Sequence, residues 1–322
     1  MAHLRNSYKT LYIAATASLL LTTGCNHKLL DDLPEPDTRV RVVYDWRNAP
    51  EADPESMSVF FFNAESGNAE FDVFAGKEME DGKYVNLEPG NWKMTTFNVM
   101  ESGEYINSND SHHVSTREGD VLEGALGNGG SKADDDEETV KITPDMLWGE
   151  ARDRMPVNPA PEQKEFVVTL YPEELVCHYS FEIRNVENLS QVTNMCASLS
   201  GMSGGIEITS TEVDFESITL PLEASAEGGN KITGEFLTFG YHPLIESPKI
   251  MNLYVWLNDG RKLVYGSDGE GKWNVTDQIL NAPDRRNVHI IIDGLGLPKP
   301  MENSPFDPSA DDWISEEYEV GI

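Results

Sequence analysis

The stretch Met251–Gly266, MNLYVWLNDGRKLVYG, predicts the fold class of this protein. Apolar and polar residues alternate on both sides of Asn258-Asp259-Gly260, and a period of two is typical of half-buried β-strands. An Asp-Gly pair favours the positive φ angles of a tight hairpin turn. We therefore expect two antiparallel strands joined by this turn, and similar patterns recur through most of the chain.

Strand-like segments lie on both sides of a proline-bearing stretch at residues 151–163. Those before it include RVRVVYDW and two strands around the turn at Pro89-Gly90, and those after it include KEFVVTLYP, ELVCHYSFEIRNV and RNVHIIIDGL. Roughly a dozen strands with few helices indicate an all-β fold of two tandem antiparallel β-sandwich domains. We place these domains at residues 39–155 and 162–297.

Residues 1–24 have the features of a lipoprotein signal peptide. Arg5 and Lys9 give a basic start, and the uncharged apolar run that follows is about half the length that spans a bilayer. The run ends in Thr-Thr-Gly before Cys25, which resembles the bacterial lipobox. Cys25 is therefore the predicted lipid-attachment site and mature N-terminus, followed by an acidic tether at residues 25–38. The alternative is a soluble exported protein with an incidental cysteine.

The chain is strongly acidic, and this restricts its partners. The formal net charge is −32, and loss of Arg5 and Lys9 with the signal peptide, which holds no acidic residue, gives −32 − 2 = −34. Nucleic acids and anionic headgroups repel such a body, so we expect no nucleic-acid partner. The remaining 298 residues (322 − 24) exceed a typical single domain.

Two cysteines, Cys177 and Cys196, remain in the mature chain, in a compartment where disulfides persist. They could form a bridge between neighbouring strands. Alternatively, both are buried thiols that pack as small apolar side chains. Cys177 alternates in step with Tyr179 and Phe181, which places it on an apolar face. The sequence leaves both alternatives open.

Nothing in the sequence indicates an enzyme or a cofactor. The G-x-S-x-G match at Gly201–Gly205 is followed by IEITS, a β-branched run that resists the helix a nucleophile elbow requires, so we interpret it as a glycine-rich hairpin bend. His112 and His113 are adjacent and would point to opposite faces of a strand. The consecutive acids Asp134–Glu138 lack the ligand spacing of a calcium loop, and we interpret them as part of a surface loop. We expect no catalytic residue, no metal and no cofactor.

Six tryptophans keep a carbohydrate-binding alternative open. Four of them lie in strand patterns, where packing in the core is the commoner role. Trp256, in the hairpin, is one that we expect in the core. Trp148 and Trp313 lie in less regular segments and are the better candidates for exposed contact with a ligand.

Residues 298–322 are predicted to form a linker and a terminal strand. Ile314, Tyr318, Val320 and Ile322 fall on one face in period two. An isolated strand is not stable in water, so this one requires a sheet partner. It either folds back onto its own sheet or is donated to the open sheet edge of a neighbouring subunit, where main-chain hydrogen bonds provide affinity.

Several of these stretches together resemble one family. The lipobox, VRVVYDW, LEPGNWKMTTFN, CASLSGMSGG and the DGL-x-LP ending followed by DDW look like an uncharacterised lipoprotein family of Gram-negative gut and oral anaerobes. That family is similar to the fimbrillin-type anchor and assembly subunits of type V fimbriae. The resemblance implies two transthyretin-like β-sandwiches in tandem, held at the outer membrane by lipid and joined to other subunits by β-strand complementation.

Two function classes are compatible with these features. The first is a non-enzymatic lipoprotein of the outer membrane, on its periplasmic face or at the cell surface. Such a protein would be a fimbrial anchor, a minor subunit or an adhesin, with fimbrial subunits or a host ligand as partners. The alternative is a glycan-binding surface lipoprotein that serves nutrient capture.

Overall fold

The computed structural model describes residues 39–108, 110–119, 138–266 and 273–299, and these residues form an all-β protein, which confirms the predicted class. Among them, no helix has both the length and the apolar character needed to cross a membrane. The helical segments of the described ranges are the short α-helices Lys77–Asp81 and Thr276–Leu280 and the 3-10 turns Trp46–Asn48 and Leu189–Gln191.

The described strands are numbered in chain order. They are β1 (Arg39–Tyr44), β2 (Ser56–Phe62), β3 (Ala69–Ala75), β4 (Lys83–Val85), β5 (Gly90–Phe97), β6 (Gly103–Asn107), β7 (His112–Thr116), β8 (Thr139–Val140), β9 (Trp148–Val157), β10 (Glu165–Leu170), β11 (Glu173–Glu174), β12 (Cys177–Glu187), β13 (Val192–Ser203), β14 (Gly205–Glu207), β15 (Glu212–Val213), β16 (Ser217–Glu223), β17 (Ser225–Glu227), β18 (Lys231–Thr238), β19 (Met251–Leu257), β20 (Lys262–Tyr265) and β21 (Asn287–Gly296).

The N-terminal sheets enclose the first apolar core. One sheet has the order β10-β1-β4 and the other the order β11-β9-β5-β2-β3. Alternation in β1 buries Val40, Val42 and Tyr44 on one face, as the sequence predicted, and they cluster with Trp92 of β5. The core therefore lies between the two sheets. The turn at Pro89-Gly90 lies between β4 and β5 and carries the chain from one sheet to the other.

The C-terminal sheets enclose a second core. Their strand orders are β17-β18-β12-β21 and β20-β19-β13-β16-β8. Phe181 of β12 and Ile290 of β21 belong to the same buried cluster as Leu253 and Leu257 of β19. The predicted hairpin is confirmed, because β19 and β20 pair in antiparallel fashion and Gly260 in the turn has a φ of +86°.

A further sheet of the described strands joins the two halves of the chain. Its order is β15-β14-β7-β6, so β14 from the C-terminal half pairs with β7 from the N-terminal half. In the same way β8 pairs with β16. A third buried cluster, with Phe97, Val114, Ile206 and Phe239 among its members, contains residues of both halves. The halves therefore share strands and a core.

The prediction that the second domain starts at residue 162 assigned KEFVVTLYP to that domain, and this assignment is wrong. The structure pairs β10 with β1 and β11 with β9, so both strands belong to the N-terminal sheets. Strand periodicity indicates that one face is buried, but it does not identify the strand on either side. The proline-bearing stretch before β10 is a connection within one pair of sheets.

Some pairs of described strands are parallel, although the alternating patterns were interpreted as antiparallel sheets. β1 runs parallel to β10, β12 to β21, and β16 to β8. A parallel pair needs a long crossover, and in each case several other strands lie between the two partners in sequence. Turn residues identify hairpins locally, whereas a crossover of this length leaves no local signal.

Candidate interaction site

The serine of the G-x-S-x-G match lies at the end of a strand, just after a bulge. Ser203 ends β13 in a buried position, and its Oγ donates a hydrogen bond to the Asp214 carbonyl oxygen at 2.9 Å. β14 begins two residues later, where a nucleophile elbow requires a helix. Gly201 has a φ of +77° at a shift in register, and a Cβ there would meet the Pro248 carbonyl oxygen at 2.8 Å. The predicted hairpin bend is therefore a glycine-dependent bulge between two sheets.

The last residue of the acidic run Asp134–Glu138 has a structural role. The Glu138 carboxylate accepts hydrogen bonds from the Gly201 backbone N–H at 3.0 Å, from the Thr219 hydroxyl at 2.7 Å and from the Ser217 hydroxyl. These three hydrogen bonds hold Glu138, the end of the acidic run, against β13 and β16. The other four acids lie outside the described residues, so the surface loop stays a prediction.

The two adjacent histidines of β7 occupy different environments. His112 is buried against Phe60, with 4.3 Å between ring centroids, and burial lowers the pKa of His112. His113 Nε2 lies 2.7 Å from a carboxylate oxygen of Asp214, and this hydrogen bond raises the pKa of His113. Within the described ranges, no group of three or more His, Cys, Asp or Glu side chains could hold a metal ion.

The two cysteines are free, half-buried thiols in different sheets. Cys177 begins β12 and Cys196 lies in β13, on the two sheets that enclose the C-terminal core. Burial raises the pKa of each thiol to about 11. The possible disulfide is not formed in this structure, in which both thiols are free.

Other predicted site residues lie outside the described ranges. They are Cys25, the predicted lipid-attachment residue, and Ile314, Tyr318, Val320 and Ile322 of the predicted terminal strand. Both assignments stay predictions.

The tryptophans do not all lie where the sequence placed them, since Trp148 begins β9 and Trp46 begins a 3-10 turn. Trp92 is 1% exposed in the N-terminal core. Trp256, predicted to lie in the core, is half-buried on the other face of β19, with the Lys262 ammonium 5.7 Å from its ring centre. The prediction failed because β19 has apolar residues on both faces. Trp148 is half-buried, and Trp313 lies outside the described residues.

β3 presents an exposed strand edge. Among the described strands it pairs only with β2. Phe71 and Val73 are 57% and 38% exposed, whereas Phe74 is buried. The Val73 N–H bonds to Asp72 Oδ1 at 2.8 Å and the Val73 carbonyl to Lys83 Nζ at 3.0 Å, so both backbone groups point away from β2. Alternate residues orient their backbone groups alike, and those of Phe71 therefore also face the open edge.

Phe71 is the exposed end of an aromatic cluster. Its ring centroid lies 4.8 Å from that of Phe60, and Phe60 lies 5.5 Å from Phe97 and 4.3 Å from His112. Phe97 also stacks on Tyr105 at 5.9 Å, and it belongs to the cluster shared by both halves. A strand added at Phe71 would meet its free backbone N–H and C=O and an aromatic ring on a packed support, as β-strand addition requires, whereas it would have to displace Asp72 and Lys83 from Val73.

The edges of β21 and β16 are covered. The Gln278 side chain donates to the Ile291 carbonyl of β21 at 2.9 Å and accepts from the Ile291 N–H at 2.8 Å. On β16, β8 pairs with two residues, and Pro221 has no N–H to offer. Natural sheets block their edges with such devices. On β3, Asp72 and Lys83 cover the backbone groups of Val73 in the same way, whereas those of Phe71 have no such cover among the described residues.

The sequence patterns did not single out this edge. The available signal was the segment EFDVFA, in which Phe71 and Val73 fall on one face and Phe74 on the other. A strand with apolar residues on both faces is either covered on both sides or carries an exposed contact surface. The sequence could not distinguish the two.

These features define an all-β protein with an exposed sheet edge. The model of the family described as "Domain of unknown function (DUF5119)" matches residues 24–223, which is more than half of the chain. The chain therefore belongs to this family. The predicted relation to an uncharacterised fimbrillin-like family is confirmed.

Two solved structures share the fold, and a third has a lower similarity. A candidate adhesin from Bacteroides ovatus is 20% identical with a TM-score of 0.60, over 86% of this chain and 99% of that chain. A candidate polysaccharide-binding protein (DUF1812) from Bacteroides thetaiotaomicron is 11% identical with a TM-score of 0.50, over 79% and 90%. The fimbrial anchor protein Mfa2 from Porphyromonas gingivalis is 12% identical with a TM-score of 0.47, over 79% and 90%. No curated protein matches the chain.

Proposed function

We propose that this protein is a non-enzymatic surface lipoprotein that acts as an adhesin, a minor subunit or an anchor of a fimbria. The open β3 edge around Phe71 carries this proposal, on a body whose fold extends over 99% of a candidate adhesin. In this proposal the two pairs of sheets correspond to the tandem transthyretin-like sandwiches implied by the fimbrillin resemblance. Partners would dock by β-strand complementation.

Attachment through Cys25 is the second part of the proposal. The basic start, the short apolar run and the Gly24-Cys25 pair support acylation, and several acyl chains give stable membrane binding. The protein would then lie at the outer membrane, on its periplasmic face or at the cell surface. Cys25→Ala should abolish fatty-acid labelling and release the protein from membranes, whereas Cys177→Ala should retain both. Labelled, membrane-bound Cys25→Ala protein would refute attachment at this residue.

Site-specific photo-crosslinking in producing cells tests the β3 edge. A photoreactive residue in place of Phe71 should capture a fimbrial subunit or a second copy, identified by mass spectrometry. The matched control is a photoreactive residue in place of Leu280, which is 42% exposed on another surface. Phe71→Pro removes an N–H that faces the open edge and should weaken capture at a neighbouring exposed position, Val73. Equal capture at Phe71 and Leu280 would contradict strand addition at β3.

Deletion of Trp313–Ile322 distinguishes the two arrangements of the predicted terminal strand. A donated strand is needed for partner capture but not for the stability of its own chain. Loss of capture with an unchanged melting temperature supports donation. A clearly lower melting temperature with capture retained means that the strand completes its own sheet.

Glycan binding is a second candidate, favoured by one exposed ring. Phe215 is 66% exposed and lies against His242, with 3.7 Å between ring centroids, and the Leu244 N–H donates to His242 Nδ1 at 3.2 Å. Likeness of the fold to a candidate polysaccharide-binding protein is compatible with this function. Phe215→Ala should abolish binding on a glycan array while Phe71→Ala leaves it intact. Absence of binding by the unmodified protein would exclude the glycans on the array.

A further inference from the structure

In the N-terminal sheets, the chain enters through β1 and leaves after β10, and these two strands lie side by side. β1 is the first described strand, and β10 leads through β11 into the C-terminal half. The two pair in parallel from Arg39↔Glu165 to Tyr44↔Leu170, and β1 lies between β10 and β4. Parallel pairing places Arg39 and Leu170 at opposite ends of the strand pair.

The C-terminal sheets repeat this arrangement. β12 is the first strand of these sheets that follows the N-terminal sheets, and β21 is the last described strand. They pair in parallel from His178↔Asn287 to Glu187↔Gly296, and β12 lies between β18 and β21. Here too, the point of entry and the point of exit lie at opposite ends of a parallel pair.

Side chains connect the paired strands in both halves. The Glu165 carboxylate of β10 lies 3.1 Å from Arg41 of β1 and accepts a hydrogen bond from the Tyr84 hydroxyl of β4 at 2.6 Å, so one carboxylate connects three strands. The corresponding contacts between β12 and β21 are Ser180 Oγ with His289 Nδ1 at 2.9 Å and Asn185 Nδ2 with Asp293 Oδ1 at 2.6 Å.

Tension along the chain would load these strand pairs in shear. A pull on the N-terminal side of Arg39 acts at one end of β1, and the load leaves β10 at the other end, at Leu170. The ladder hydrogen bonds between the strands must then stretch together before either strand can slide. Pulling the strands apart from a common end breaks the bonds one after another. The rate of forced unfolding is set by the barrier along the direction of pull.

We propose that the protein has a load-bearing function, in which each half is a shear clamp that resists extension of the chain. The source of the tension rests on the proposed function, because it requires attachment through Cys25 and a partner held by the predicted terminal strand of residues 298–322 rather than at β3. The clamps themselves follow from the strand pairing in the described residues.

Single-molecule force measurements on the full mature chain, residues 25–322, test the clamp by changing only the direction of pull. Non-acylated Cys25 is one attachment point in both arms, in a background of Cys177→Ser and Cys196→Ser. The second point is Glu173→Cys, after β10, for shear, or Glu162→Cys, before β10, for peeling. Both introduced positions are exposed, and the same bonds between β1 and β10 are under load.

We expect the Glu173 arm to unfold at a several-fold higher force than the Glu162 arm at the same loading rate. Equal forces, or a lower force for the Glu173 arm, would overturn the proposal. Equal urea midpoints verify that the two variants are equally stable, and Ala160→Cys replaces Glu162→Cys if that midpoint is lowered. The same comparison for β12 and β21 uses handles at Glu173 and Lys299 for shear, and handles at Glu173 and Pro283 for peeling.

The load-bearing function and the proposed function can fail separately. Cys25→Ala and the photo-crosslinking variants report attachment and partner capture in cells, independently of force. A strong clamp in a protein that captures no partner would leave the clamps established and reject the adhesin together with the source of the tension. Equal forces in both directions would reject the clamp and leave the adhesin untouched.

Discussion

His112 and His113 show how burial and a neighbouring charge act on adjacent side chains in opposite directions. Burial against Phe60 disfavours the charged form of His112 and lowers its pKa, although Glu207 opposes this effect. The hydrogen bond to Asp214 favours the charged form of His113 and raises its pKa. Both histidines lie on β7, which joins the two halves of the chain, so their titration affects that junction.

His113→Gln should remove a stabilisation that is present in acid. A histidine with a raised folded pKa stabilises the protein fully below its unfolded pKa, near about 6.5, and this contribution is lost as pH rises through the folded pKa. The difference in unfolding free energy between the unmodified protein and His113→Gln should therefore be largest below about pH 6.5 and shrink as pH rises through the raised folded pKa, by about 1.4 kcal/mol per unit of pKa shift. Urea unfolding at several pH values measures this difference.

His112→Gln is the matched comparison. Because the folded pKa of His112 is lowered, its contribution to stability should rise with pH as pH approaches the unfolded pKa of about 6.5 from below. Slopes of the same sign for the two variants would contradict the assigned environments.

Trp92→Ala should destabilise the protein far more than Trp256→Ala. Truncation of an aromatic residue as buried as Trp92 costs about 3–5 kcal/mol. Trp256 is half-buried, and loss of its partial burial and its contact with Lys262 should cost about 1–2 kcal/mol. Urea unfolding of both variants tests this ranking. Equal losses would mean that Trp256 contributes to a core as much as Trp92 does.

Strand edges differ in how their backbone groups are satisfied. Ile291 at the edge of β21 receives both of its hydrogen bonds from the Gln278 amide, whereas Phe71 at the edge of β3 has no such cover among the described residues. An unpaired edge is a template for another strand, and natural proteins usually block it. The backbone groups of Phe71 are therefore free to pair with another strand.

Gln278→Ala should open the edge of β21. The variant loses two hydrogen bonds, each worth about 0.5–1.5 kcal/mol, and water should replace part of this because Gln278 is exposed. The larger effect should be increased self-association with concentration, measured by analytical ultracentrifugation. Gln278→Glu keeps an acceptor for the Ile291 N–H and should give an intermediate result. Association no greater than that of the unmodified protein would show that Gln278 does not protect this edge.

Strand pairs and core residues shared between the two halves hold the whole molecule together. β14 pairs with β7, β8 pairs with β16, and β10 and β11 complete sheets of the N-terminal half. A cluster that includes Phe97 and Phe239 adds a shared core. The position where the sequence changes composition is therefore not a position where the structure divides.

A fragment of residues 39–161, which ends at the predicted boundary, should not fold. It lacks β10, the parallel neighbour of β1, and β14, which continues the sheet of β6 and β7. Its cores would be exposed, so we expect no cooperative transition in urea, whereas residues 39–299 should show one. Far-UV circular dichroism during denaturation makes the comparison. A cooperative transition in the shorter fragment would show that the N-terminal sheets fold independently.

At the candidate site, the sequence predicted the strand but not which strands lie beside it. The alternation of EFDVFA predicted a strand, and β3 is present. Its place at the end of a sheet depends on β2 taking β5 as its other neighbour. No feature within the segment encodes that choice, so the exposure of Phe71 became apparent only from the assembled sheet.

The sequence by itself determined the all-β class, the Asn258-Asp259-Gly260 hairpin and the buried face of β1, because periodicity and turn chemistry act over a few residues. Only the tertiary structure decided that β10 pairs with β1, that β12 and β21 run parallel, and that Trp256 faces away from the core. These outcomes depend on contacts between segments far apart in the chain, and a strand with a given alternation fits several partners equally well.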